Sequence, residues 1–132
     1  MTAGAHHSFF GVYDGAQVIT VSGIVTQFKF TNPHAMMYMD VTDASGKVAK
    51  WSIEFDGRLN LSEGGWTANS LKPKERVTVT GNPARDATAT HQMFFRKLTK
   101  ADGTELVRYQ DQRVNTVEQE RRQRALERNQ QK

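Results

Sequence analysis

The chain has no cysteine, so any transition-metal or acid–base chemistry falls to its four histidines, His6, His7, His34 and His91, and to its carboxylates. His6 and His7 are adjacent. In an extended segment neighbouring side chains face opposite ways, so one of the two points at any given site. His34 follows Asn32-Pro33, and the fixed φ of proline gives its imidazole a defined direction. An N-terminal arm folded back over the first hairpin would bring an arm histidine to His34 and to a carboxylate, Asp40 or Glu54. That set of nitrogen and oxygen donors suits copper or zinc. A native chain starting at His6 would add its α-amine and form a T-shaped nitrogen set with His34. A start at Ala5 would instead put His7 third, where amine and deprotonated amides chelate Cu(II). The plainer alternative is that His34 bonds backbone at its corner and the arm histidines bind nothing.

Two further constellations carry chemistry. Phe28, Phe30, Tyr38, Trp51, Phe94 and Phe95 all lie in strand-like runs. Most rings must fill a small core, but the adjacent pair Phe94-Phe95 sends one ring outward, and Tyr38, Trp51 and Phe95 are the candidates for stacking on a ligand. Asp40 and Glu54, on successive strands, are candidates to face each other as an acid/base pair, which with His34 would suit a small hydrolase or isomerase. Carboxylates on neighbouring strands are commonplace, and neither a nucleophile triad nor a phosphate-binding glycine loop is present to strengthen an enzymatic reading.

These residues must be positioned by strands. Gln17 to Phe30 reads as one long strand whose apolar phase shifts, with Ile19, Val21 and Val25 on one parity and Phe28 and Phe30 on the other, so a bulge is required between Gly23 and Gln27. Pro33 breaks it. Met36 to Val41 and Val48 to Phe55 then alternate around an Asp43-Ala44-Ser45-Gly46 turn, as a hairpin does. Trp66 to Leu71 has room for a turn or two of helix before Pro73. Arg76 to Gly81 and Gln92 to Thr99 are strands, and a short run closes the series at Glu105 to Tyr109.

A long bent strand, two strands, a short helical connection and two more strands is the order of an OB-type barrel. The expected fold is therefore all-β: a five- to six-stranded antiparallel barrel with a short helix between strands 3 and 4 and a C-terminal helical tail. The expected organisation is an arm over residues 1–15, the barrel over 16–110 and the tail over 111–132.

At 132 residues and 37% hydrophobic content the chain can bury one core. No apolar run approaches the ~20 residues of a membrane span. The net charge is +4, but Val114 to Lys132 holds five basic residues against three acidic, half of the excess, which leaves the body nearly balanced. A balanced body argues against nucleic acid as the partner and for a small molecule or metal ion. A single-strand nucleic-acid-binding module using outward aromatics and the arginine-rich tail is the alternative. The tail has Glu120 and Arg124 at helical spacing but a thin apolar seam, Val114, Val117, Ala125 and Leu126, so it reads as a solvated helix, with oligomerisation as its further use. At the other end, Ala3-Gly4-Ala5 has the small-x-small form found before a signal-peptidase cut, which points to a periplasmic or secreted protein; a plain cytosolic terminus is the alternative.

Ala5-His6-His7-Ser8-Phe9, Thr31-Asn32-Pro33-His34, Gly65-Trp66 and Leu71-Lys72-Pro73, with Val77 to Gly81, occur in this order. In these motifs residues 5–107 resemble a family of small exported bacterial proteins of unknown function. The resemblance implies mature chains that begin beside the AHHSF segment, an envelope location and no assigned activity. Phe55-Asp56-Gly57-Arg58 departs from the Ser-Pro step usual after the third strand, and the tail exceeds the usual end.

Overall fold

The computed structural model describes residues 11–108 and 120–129. Its strands are β1 (Ile19–Lys29), β2 (Met36–Thr42), β3 (Val48–Glu54), β4 (Arg76–Pro83), β5 (Gln92–Lys100) and β6 (Glu105–Val107), with α1 (Arg58–Glu63) between β3 and β4. Their order in the sheet is β3-β2-β1-β4-β5-β6, and a pairing of β3 with β5 closes the barrel.

The change of apolar phase in β1 is absorbed by the expected bulge. Val25 pairs with Met39 and Gln27 with Tyr38, so Thr26 is the extra residue. The bend lets one strand serve two neighbours: Ile19 to Ile24 pair with β4, and Ile24 to Lys29 pair with β2. On the outward side of the β1–β4 pair, hydroxyls meet across the strands, Thr20 with Thr80 at 2.9 Å and Ser22 with Thr78 at 2.8 Å.

The barrel is not wholly antiparallel. Ser52, Ile53 and Glu54 of β3 run parallel to Gln92, Met93 and Phe94 of β5. Strands that alternate in direction around a ring of odd number must meet once in the same direction, so five strands close with one parallel seam. The short β6 lies outside the ring, paired only along Lys97 to Thr99 of β5.

The helix also differs from expectation. It occupies Arg58–Glu63, and Gly64 and Gly65 end it. Trp66 to Leu71 instead forms turns, in which the Thr67 N–H donates to Ser70 Oγ (2.8 Å) and the Asn69 N–H to Thr67 Oγ1 (3.2 Å). Short hydroxyl side chains fix turns in this way by bonding nearby backbone N–H groups. Trp66 and Leu71 are nonetheless buried, together with Leu61 of α1.

The inward faces of the strands supply the rest of the core. Met37, Met39, Ile53, Val77, Val79, Met93, Phe95 and Leu98 are all at most 1% exposed. Phe55 lies at its centre, stacked on Phe95 at 4.4 Å and edge-on to Trp66 at 5.4 Å and Phe28 at 5.7 Å.

Neither ring of Phe94-Phe95 is left in solvent, contrary to expectation. Phe95, the ring expected to stack on a ligand, points inward and stacks on Phe55 instead. Phe94 points out of the barrel but is only 4% exposed, because Tyr13 packs at 5.6 Å and the Arg108 guanidinium lies 4.9 Å above its ring. Arg108 is held there by a two-bond ion pair with Asp56, Nε to Oδ2 at 2.9 Å and Nη2 to Oδ1 at 3.0 Å. Alternation requires one of the two rings to leave the core; covers arriving from distant segments do not show in it. Residues 120–129 are helical, with Leu126 58% exposed and Arg124 3.9 Å from Glu120, as a solvated helix requires.

Candidate functional site

The seam between β3 and β5 is closed only from Ser52 onward, where the Ser52 N–H donates to the His91 carbonyl at 3.0 Å. Ahead of that bond Val48 to Trp51 stay paired to β2, while the loop over residues 84–91 lies opposite. The space left between them is a groove of about 490 Å³. Its floor and one wall are Tyr38, Met39 and Asp40 of β2 and Lys50, Trp51 and Ser52 of β3. Thr88 to Gln92 form the other wall, and Thr26, the bulge residue, completes the lining.

Both walls are built locally. Ser45 and Lys47 backbone N–H groups and the Ser45 hydroxyl all donate to Asp43 Oδ1, which fixes the β2–β3 turn. In the facing loop, Asp86 Oδ1 accepts from the Thr88 N–H (2.9 Å) and hydroxyl (2.8 Å), which holds its carboxyl below the usual range. The groove is therefore bounded by turns whose polar groups are already engaged. Volumes of ~300–1,000 Å³ are typical of small-molecule sites.

Three ring-bearing residues line it, with Trp51 opposed to Met39 and Tyr38 to Ser52, so that the Trp51 and Tyr38 side chains leave opposite faces of the β2–β3 pair. Trp51 and His91 meet at 5.3 Å and 49°, and Tyr38 carries the Lys29 ammonium 5.7 Å from its ring centre. Asp40 and Lys50 are directly opposed in the β2–β3 register, so the lining holds one acidic and one basic residue as cross-strand partners. Alternation predicts Trp51 inward, and its inward direction puts it at the open part of the seam, where it is only partly buried. His91 is the site residue that sequence reasoning passes over. The available signal is its place immediately before the fifth strand of an OB-type barrel, a loop that this fold uses for ligands.

The second candidate region is the corner at His34. The Asn32–Pro33 peptide is cis, and Gly57 packs against it so closely that a Cβ there would fall 2.6 Å from the Pro33 oxygen. His34 Nδ1 is 3.0 Å from the Phe55 carbonyl oxygen and 3.9 Å from Glu54 Oε2. A carbonyl only accepts, so Nδ1 donates in this bond, on a ring that is 47% exposed.

The arm reaches this corner through Tyr13. The Asp14 N–H donates to the Pro83 carbonyl at 2.9 Å and the Arg85 N–H to the Val12 carbonyl at 2.7 Å, docking the described end of the arm on the end of β4. Burial and the neighbouring Glu54 carboxylate, with which the hydroxyl is hydrogen-bonded, push the Tyr13 pKa up, so this phenol remains a donor.

The predicted site residues thus divide. Tyr38, Trp51 and Asp40 share the groove; His34 and Glu54 share the corner; Phe95 is in the core; His6 and His7 lie outside the described residues. Asp40 and Glu54 do not oppose each other: Asp40 faces Lys50 and Glu54 faces Met36. The acid/base constellation of Asp40, Glu54 and His34 is therefore not assembled in one place. Among the described residues no group of three or more His, Asp or Glu is placed to hold a metal ion. No described helix is long and apolar enough to cross a membrane.

The fold has relatives among solved structures. The mitochondrial single-stranded DNA binding protein Rim1 of S. cerevisiae superposes with a TM-score of 0.50 at 9% identity, covering 67% of this chain and 97% of that one. The N-terminal domain of PriB from Thermoanaerobacter tencongensis gives 0.47 at 17% identity, over 65% and 97%. At such identity the Rim1 likeness establishes an OB fold and nothing about ligands. No curated protein matches the sequence. A family does match, over residues 1–93, which run from the arm into β5. The chain belongs to that family, the family of unknown function DUF6152.

Proposed function

We propose that this protein is a binding module that holds a small ligand in the groove between the β2–β3 hairpin and the loop over residues 84–91. One observation carries the reading: Trp51 and His91, distant in sequence, meet with ring centres 5.3 Å apart on the lining of one cavity. Rings with few, fixed polar groups are what small-ligand sites are made of. Amide and indole NMR spectra recorded against a fragment set of monosaccharides, nucleosides and aromatic amino acids test it. Shifts should converge on the Trp51 indole and on the backbone of Thr88 to Gln92, and Trp51→Ala should abolish them. Shifts scattered over the surface, or none, would reject the groove.

A second reading rests on the His34 corner. An imidazole that donates one nitrogen to a backbone carbonyl and presents the other is oriented as metal-binding histidines are. In this reading Nε2 of His34 and an arm histidine, His6 or His7, hold copper or zinc, and Glu54, 3.9 Å from Nδ1, is an orienting group. Calorimetric titration with Cu(II) and Zn(II) should show affinity falling about tenfold or more in His34→Ala. Equal affinity in wild type and variant removes this corner from any metal site.

A further inference from the structure

We infer that the groove takes an extended peptide, which adds as a strand to the open edge of β3 at Val48 to Lys50. The inference rests on the binding role proposed above and names the class of ligand.

The backbone of β3 carries the first argument. In an antiparallel pair, residues whose main-chain groups bond the neighbouring strand alternate with residues whose groups point away from it. Two bonds fix the phase here: the Lys47 carbonyl accepts from the Asp43 N–H across the turn at 2.9 Å, and the Ser52 N–H leaves β2 for the His91 carbonyl. Val48 and Lys50, opposite Thr42 and Asp40, therefore direct their N–H and C=O groups away from β2, as Ser52 does. Pairing with β5 starts only at Ser52, and no described residue bonds the outward main-chain groups of Val48 and Lys50. The loop ahead of β5 is not free to finish the seam. Asp86 holds it in a turn, its Oδ1 accepting from the Thr88 N–H and its carbonyl from the Ala89 N–H at 3.0 Å. An open strand edge is a template for one more strand, and a gap walled on its far side by this loop admits a single chain rather than the sheet of a second molecule.

Side chains give the second argument. The lining draws on both faces of the β2–β3 pair, Met39 and Trp51 from the inward one and Tyr38, Asp40 and Lys50 from the outward one. A flat ring addresses one face, whereas an extended peptide sends successive side chains to both. The side chain level with Ala49 falls on the Trp51 face, where the Trp51 and His91 ring centres lie 5.3 Å apart, and suits an apolar or aromatic residue. Its neighbours, level with Val48 and Lys50, fall on the outward face. There Asp40 and Lys50 oppose each other, so the charge is balanced and uncharged neighbours fit.

Blocked pentapeptides, threonine throughout except for phenylalanine, leucine or aspartate at the centre, test the inference by amide NMR titration of the full chain. The phenylalanine and leucine peptides should bind about tenfold or more tighter than the aspartate peptide, and at saturation the Val48 and Lys50 amides should gain protection from hydrogen exchange. N-methylation of one of the two alternating sets of peptide amides should cost about tenfold or more, since it leaves the side chains in place and removes main-chain bonds. Lys50→Pro should weaken binding likewise, because proline is tolerated where a strand's N–H faces away from its neighbour. Equal affinity of parent and N-methylated peptides, or a Lys50 amide still unprotected at saturation, overturns strand addition. Silence of every peptide while the fragment spectra still converge on Trp51 and Thr88 to Gln92 overturns the peptide and leaves the groove as a site. Protection of the Lys50 amide that rises with protein concentration alone overturns it in favour of pairing with a second copy. Fragment spectra without convergence remove the binding role itself.

Discussion

Phe55→Ala is expected to lower unfolding stability by about 3–5 kcal/mol, a large part of the ~5–15 kcal/mol available to a domain of this kind. Phe55 has no exposed surface and is touched by Phe95, Trp66 and Phe28 in three orientations, from β5, from the connection after α1 and from beyond the bulge of β1. No single neighbour can collapse into the vacated space without leaving the other two, so a cavity persists, and a cavity adds to the lost transfer energy. The effect should extend to the site, because the Phe55 carbonyl orients His34 and Glu54 precedes it in β3. Urea unfolding followed by tryptophan fluorescence measures it. Leu59→Ala, at a helix position 69% exposed, should move the midpoint by less than ~0.5 kcal/mol equivalent. Similar midpoints for the two variants would mean that the aromatic cluster is not the centre of the core.

Much of this architecture is legible in the residues. The parity change between Val25 and Phe28 demands the bulge that the β1–β2 register then displays, as Val25 opposite Met39 is followed by Gln27 opposite Tyr38. Met37, Met39, Ile53, Val77 and Val79 occupy the interior that period-two alternation assigns them. The failures at Phe94, Trp51 and His91 have one physical origin: alternation describes a strand and its faces, and says nothing of where the strand's ends meet other segments. Phe94 is covered because Tyr13 and Arg108 come from opposite ends of the chain to lie on it. Trp51 has core parity yet lines the groove, because the seam with β5 begins one residue later, at Ser52. His91 becomes a site residue through that same seam. The separation of Asp40 from Glu54 is a matter of register, since the turn sets Asp40 against Lys50 and leaves Glu54 opposite Met36. The helix lies earlier than Trp66 to Leu71, at Arg58–Glu63, and Gly64 and Gly65, the latter at φ 92°, end it.

Gly81→Val should open that seam. Gly81 sits at the irregularity in the β4–β5 pairing, opposite Ile19 on one side and Phe95 on the other. A Cβ added there would fall 2.1 Å from the Phe94 carbonyl oxygen and 2.9 Å from Met93 Sδ. The sulfur can move, but the carbonyl belongs to the β5 backbone, and β5 at Met93 and Phe94 is also the strand that closes the barrel on Ile53 and Glu54. Relief of the clash therefore pulls the closing pairs apart, along with the groove wall leading into Gln92. The expected loss is about 3 kcal/mol or more, at the upper end for overpacking because the obstacle is main chain. Hydrogen exchange separates this mechanism from general destabilisation: the Ser52 amide, bonded to His91 across the seam, should lose protection while the amides of the β1–β2 pairing along Gln27 to Lys29 retain theirs. Uniform loss of protection over both regions would show that the barrel fails as one unit, and an unchanged Ser52 amide would show that β4 and β5 have room for a side chain at this crossing.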